Sequence, residues 1–271
     1  MEVTRDILSE GDRVRMAGYA SRKSDYGMYM SNLLLSDGRE AVFQSNAEPR
    51  WPGERIGSAD LLRGEIAETD ISERPESIFA IWTTMLGVPE SRSLHPRNTD
   101  DFPLTELGLQ KVADYDPVAD NPFGDCSPKG GSAVMDAPYP MELVDEGDRI
   151  LLKLEEYDTV RTIHLTDIHD DSQVEHSLLG HSTGRWQDDT LVITTTKIDY
   201  PFLHVGSQPS FIPQSKFAQM QETFRLDEAR DKLHYTLTVT DTAMLTKPMV
   251  YAKYYQWKPG ETLQPYLCDE G

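Results

Sequence analysis

The sequence predicts a mainly β protein: a small N-terminal antiparallel sheet followed by a larger antiparallel up-and-down β-barrel, with one or two short helices between. Three observations carry this. Eight segments after Pro140 alternate apolar and polar residues with period 2, as half-buried strands do. The connections between most of them are short and acidic, which makes neighbours antiparallel. Proline, in contrast, is concentrated between Pro49 and Pro138, where long regular elements are not expected.

At the N-terminus, Arg13–Tyr19, Met28–Leu35 and Glu40–Phe43 read as strands. Ser36-Asp37-Gly38 between two apolar runs is a hairpin signal, and an Asp-Gly turn of the tightest type needs positive φ at both central residues. Three strands make a thin sheet that must find further cover. The middle is less regular. Ile78, Ile81, Trp82 and Met85 fit one helical face with Gly87 as C-cap, and fit a strand equally well. Thr105 is a good N-cap for a short helix reaching about Val112. The chain therefore divides into a small antiparallel unit (1–60), a proline-rich connection with short helices (61–137) and the barrel (138–271).

The barrel strands are Met141–Val144, Arg149–Glu155, Thr159–Leu165, Leu178–Trp186, Thr190–Ile198, Ala218–Leu226, Lys232–Thr240 and Met249–Trp257. Closure removes exposed edges, and a sandwich is the alternative. The longer loop Asp199–Phe217 suits a rim or lid, with Phe202 as its candidate ligand contact. Gly184-Arg185-Trp186 resembles the Gly-x-Trp of lipocalin-type barrels, in which the Trp closes the barrel base.

Charge narrows the partners. The 271 residues carry 46 acidic and 26 basic side chains, a net charge of −20. Such a surface repels phosphates and anionic lipids, so no nucleic acid partner is expected. No run of ~18 apolar residues predicts a membrane span. Met1 to Asp6 have no apolar core of signal-peptide type, which predicts a cytoplasmic protein or a processed sequence with an added Met. Cys126 and Cys268 belong to no CxxC. They read equally as buried thiols or as one disulfide.

The candidate site residues lie in the barrel. Glu222 shares a strand face with Met220 and Phe224, a carboxylate among apolar neighbours, and is the candidate base, with its pKa raised by burial. Tyr235, Tyr251, Tyr254, Tyr255 and Trp257 give the last strands an aromatic lining. Most such rings are core, but a cavity among them suits an apolar or aromatic molecule, with a tyrosine hydroxyl to polarise a carbonyl. Glu155 and Arg161 flank a hairpin and could pair across it, either as a stabilising ion pair or as an acid–cation pair that orients a substrate. His164, on the opposite face from Arg161, and His181 are further candidates. With His169 they form the weaker reading of a metal-dependent enzyme. No two histidines have i, i+2 spacing, so no metal ligands are assigned. Ser182 next to His181 points to the other strand face, which argues against a Ser–His nucleophile. No cofactor fingerprint is present.

Several linked motifs carry a resemblance: Asp116-Pro-Val-Ala-Asp-Asn-Pro, Cys126-x-Pro, Pro138-Tyr-Pro-Met-Glu, Arg161-Thr-Ile-His, Gly180-His-Ser-Thr-Gly-Arg-Trp, Glu222-x-Phe and Pro265-Tyr-Leu-Cys. From Gly11 onward the chain resembles a widespread family of uncharacterised exported bacterial proteins. In many members a longer N-terminal part, opening with a His-His segment, completes a small oligonucleotide-binding-type barrel. Those histidines have no counterpart here, and the N-terminal sheet would be a partial version of that barrel. The resemblance implies a periplasmic or secreted location and favours a Cys126–Cys268 disulfide. It supplies no reaction. The expected function is binding of a small apolar or aromatic molecule, with homo-oligomerisation left open. The alternative is a cofactor-independent lyase, isomerase or cyclase acting inside the barrel.

Overall fold

Alternating apolar and polar side chains become sheets only when each apolar face finds cover, and the computed structural model shows what covers each. It describes residues 7–20, 28–43, 48–57, 70–85, 99–116, 119–120, 126–166, 174–205 and 211–268. The chain divides into two compact units, residues 1–67 with 85–89, and residues 68–84 with 90–271.

The smaller unit is a four-stranded sheet in the order β1 (Arg15–Ala20), β2 (Met28–Leu34), β3 (Glu40–Val42), β4 (Arg55–Gly57). Its core is Leu33, Leu35, Ala41 and Ile56. The β3–β4 pair is parallel, so this sheet is not wholly antiparallel. The Asp-Gly hairpin also differs from expectation. Leu35 N–H donates to Arg39 O, and only Gly38 has positive φ (89°). This is a three-residue loop with a left-handed glycine, not the two-residue turn.

The larger unit is a closed barrel of nine strands. In chain order they are β5 (Ile81–Thr83), β6 (Met141–Asp145), β7 (Arg149–Leu154), β8 (Thr159–His164), β9 (His181–Gln187), β10 (Thr190–Thr196), β13 (Gln219–Leu226), β14 (Lys232–Thr240) and β15 (Met249–Trp257). A separate hairpin, β11 (Phe202–Val205) with β12 (Phe211–Pro213), belongs to the long loop. The helix α1 (Glu106–Asp114) starts at the expected cap, where Thr105 Oγ1 accepts from Gly108 N–H at 3.1 Å.

The ambiguous stretch at Ile78–Met85 holds a strand. β5 closes the barrel by bridging β15 and β6, with Trp82 opposite both Trp257 and Met141. A helix there would have left two edges open. Gly87 lies outside the described residues. All barrel pairs are antiparallel except β8–β9, where Ile163 faces Ser182 and His164 faces Thr183 in parallel. The long connection between these strands allows the chain to return to the same end before β9 starts.

Inside, Trp82, Met141, Leu143, Ile150, Leu152, Ile163, Leu191, Ile193, Phe224 and Leu233 form the core. Gly184 is interior and has no room for a side chain: a Cβ there would sit 2.7 Å from Ile163 Cγ2.

Candidate functional site

Period-2 alternation turns Arg161 of β8, Ser182 of β9, Thr195 of β10, Glu222 of β13 and Tyr235 of β14 into the barrel, and all are buried. They form one hydrogen-bonded layer across the core. Arg161 Nη1 donates to Glu222 Oε1 at 3.0 Å, and Nη2 makes a second, shorter bond to Oε2, giving a bidentate pair. Arg161 Nε donates to Ser182 Oγ at 2.9 Å, and Nη2 also donates to Thr195 Oγ1. Tyr235 O–H donates to Glu222 Oε1 at 2.8 Å. Burial disfavours a charged guanidinium, but the Glu222 carboxylate outweighs it, and the Arg161 pKa lies above its ordinary value. Burial, reinforced by the Glu222 charge, pushes the Tyr235 hydroxyl well up. This geometry suits a fixed, neutralised charge pair. A general base needs an accessible lone pair next to its substrate, and Glu222 is fully buried with both oxygens bonded.

One end of the barrel is plugged. Residues 126–137 cross it, ending in a 3₁₀ turn (Ala133–Asp136) with Ala133, Val134 and Met135 buried. Gly130 permits the crossing: a Cβ there would meet Leu178 O at 2.3 Å. Lys253, facing inward on β15, donates from Nζ to Met135 O at 2.8 Å and lies 4.3 Å from the Tyr255 ring centroid. Tyr255 O–H donates to the same carbonyl at 3.3 Å. Ser132 Oγ donates to Leu203 O, Lys129 pairs with Glu156 at 2.8 Å, and His204 Nδ1 lies 3.2 Å from Asp136 Oδ2. Beneath the plug is a cavity of about 10 Å³ lined by Ser132, Met135, Asp136, Tyr235, Leu237, Tyr251 and Lys253. That is about the space of one water. Burial lowers the Lys253 pKa to about 8. The Glu156 carboxyl is raised, chiefly by burial and against the pull of Lys129.

The plug is tied down covalently by the Cys126–Cys268 disulfide. The C-terminal tail packs back on the same end. Its Gln264 N–H donates to Glu155 Oε2 at 2.9 Å, and Tyr266 packs against the rings of Tyr139 and Tyr157.

Outside the plug, the long loop and α1 form an aromatic groove. Tyr115, just past α1, stacks on Phe211 at 4.4 Å and 13° and meets Phe202 edge-on at 6.4 Å. With Pro201, Lys111, Asp114 and Asp120 these residues line a space of about 350 Å³, within the range of small-molecule sites. At the opposite end of the barrel a second space, of about 420 Å³ and more enclosed than the groove, is lined by Glu76, Ile78, Trp186, Asp189, Arg225 and Asp227, among others.

The structure thus gathers Glu222, Tyr235 and Arg161 into one network, with Tyr251 and Tyr255 buried close by, and sets Phe202 in the groove. Other candidates fall elsewhere. Arg161 pairs with Glu222, not Glu155, because Arg161 points inward while the Glu155 carboxylate is engaged by the tail. His164 and His181 stack on each other at 5.1 Å. They alternate with the inward residues Ile163 and Ser182, so they lie on the outer face, away from the interior network. Trp186 does not close the barrel base. It stands at the rim, 44% exposed and edge-on to Phe79, while the fully buried indole is Trp82. Among the described residues no three His, Cys, Asp or Glu side chains converge as metal ligands, and His169 lies outside them.

Sequence reasoning missed Lys253, although Tyr251-Ala-Lys253-Tyr-Tyr255 places it on the face of two inward tyrosines. It also missed Tyr115 and Phe211, whose stacking joins segments far apart in the chain. Comparison with models of known families finds no match, and no curated protein is similar to the chain.

Proposed function

We propose that this protein binds a small apolar or aromatic molecule at the plugged end of its barrel, in the groove of Tyr115, Pro201, Phe202 and Phe211. The observation that carries the reading is that groove: about 350 Å³ with two stacked rings and a third edge-on to them. Aromatic walls favour a flat ligand, which gains burial together with offset or edge-to-face ring contacts. Lys111, Asp114 and Asp120 at the rim supply polar contacts for orientation. The barrel, packed solid inside, is its rigid support.

A lyase or isomerase working from Glu222 has less support, because its carboxylate is ion-paired and buried. The disulfide favours an oxidising compartment, consistent with an exported protein.

The test is titration with an uncharged aromatic fluorophore, N-phenyl-1-naphthylamine. Removing the stacked ring by Tyr115→Ala is expected to weaken binding about tenfold, roughly 1.4 kcal/mol. Equal affinity in the wild type and the variant, or no binding by either, contradicts the reading.

A further inference from the structure

Lys253 has an unusual position for a lysine. Its side chain faces into the barrel and keeps 7% of its surface. Among the described residues no carboxylate oxygen lies within ion-pair reach of Nζ; the amine's hydrogen bond is to the backbone carbonyl of Met135. An ammonium placed so loses hydration without gaining a counter-charge at contact, and such lysines are the ones that serve as nucleophilic amines.

The surroundings bear this out. The groups that face Nζ are Asp136 and Lys129 from the plug, Tyr235 from β14, and Tyr251 and Tyr255 from its own strand. Asp136 favours the charged amine and Lys129 disfavours it, while burial, the largest influence, favours the neutral form. All three tyrosine hydroxyls are held protonated by burial; those of Tyr235 and Tyr255 already donate, to Glu222 Oε1 and Met135 O. The small cavity beneath the plug is lined by Ser132, Tyr235 and Tyr251 as well as Lys253.

We propose that Lys253 is a carbonyl-reactive amine whose cavity accepts a one-carbon aldehyde. The neutral amine adds through its lone pair to the carbonyl carbon, and the carbonyl oxygen takes up a proton to give a carbinolamine. Loss of the hydroxyl as water, with the remaining nitrogen proton, leaves the C=N bond of an imine. Aldehyde and amine thus give imine and water, with no oxidant or reductant required. The cavity has about the space of one water, so it is scaled to the smallest aldehyde, and larger ones are excluded while the plug is in place. This site is separate from the aromatic groove and stands or falls independently of it.

The experiment is reductive trapping on the intact, disulfide-bonded protein at pH 7.5. Formaldehyde is added with cyanoborohydride, which reduces the imine to a stable secondary amine, and peptide mass mapping follows labelling at each lysine over time. A fall from 10.5 to about 8 gives Lys253 an unprotonated fraction near neutral pH about 300-fold above that of an ordinary lysine. Slower entry offsets part of this, and we expect labelling at least tenfold faster than at exposed Lys216 or Lys247. The preference is expected to vanish with benzaldehyde, which is too large for the cavity. Lys253 labelled no faster than Lys216, or spared in the native protein and labelled only after unfolding, overturns the proposal. The map is read on the wild-type chain and needs no variant to fold.

Discussion

The two ends of the barrel solve the same problem in opposite ways. Both must end a ladder of nine strands without exposing the apolar interior. The end near Trp186 does so with tight acidic turns, Asp145–Asp148, Gln187–Asp189 and Asp227–Asp231, and a half-exposed indole. The other end is crossed by an inserted segment, capped by a hairpin and a helix, and fastened by a disulfide and a folded-back tail. Short turns need no further support, because their own backbone bonds and Asp side chains close them, as Asp227 does by accepting from Asp231 and Lys232 N–H. The plugged end brings polar groups from distant segments into the interior, and each must be satisfied there. The lesson is that buried polar groups from distant segments gather where closure is made by long connections.

The largest expected effect tests the interior layer that both ends share. Arg161→Met leaves the Glu222 charge buried without its partner and should cost about 3–5 kcal/mol in urea unfolding. Adding Glu222→Leu should restore most of that loss, since the paired charges repay little more than their desolvation. A double variant as unstable as the single one would show that the layer does more than neutralise itself.

Next in size, Cys126→Ser should lower stability by about 2–5 kcal/mol, because the bond closes a long loop in the unfolded chain. Hydrogen exchange should accelerate in the plug and tail and hardly change at the turns of the open end. Uniform acceleration would erase the contrast between the two ends.

A smaller effect is pH-dependent. The folded Lys253 titrates at about 8 and the unfolded one near 10.5. Between these values the unfolded chain binds the extra proton, so stability contributed through this group rises with pH from about 8 to about 10. Above pH 10 the raised tyrosines Tyr235, Tyr251 and Tyr255 act in the opposite sense, because only the unfolded chain releases their protons there. Thermal melts of Lys253→Met should lack the rise between pH 8 and 10.

The smallest is Trp186→Ala, at or below about 1 kcal/mol, because the ring is already 44% exposed. A loss of several kcal/mol would mean that this end also depends on a buried plug.

Much of the barrel was legible because a strand buried on one face must alternate, and its acidic turns stand out between apolar runs. Glu222 announced itself as a carboxylate among Met220 and Phe224, while Arg161 was read as the partner of Glu155, in a hairpin ion pair or an acid–cation pair for a substrate. Their pairing was not legible. They are 61 residues apart and meet only after β8 and β13 are brought to face each other by closure. β5 was ambiguous because three residues carry too little periodicity to separate strand from helix. Trp186 misled for a physical reason: its inward register is correct, but it sits at the strand end, where inward no longer means buried. Tyr115 and Phe211 gave no signal, since a stacked pair is created by tertiary structure alone.

The central claim is that ligand binds outside the plug, in the aromatic groove, while the Arg161–Glu222 layer stays structural. Hydrogen exchange by mass spectrometry, with and without saturating N-phenyl-1-naphthylamine, tests it most directly. Protection confined to Glu106–Asp114, Phe202–Val205 and Phe211–Pro213 is the predicted result. Protection centred on the open end at His181–Gln187, or no protection anywhere, would contradict it.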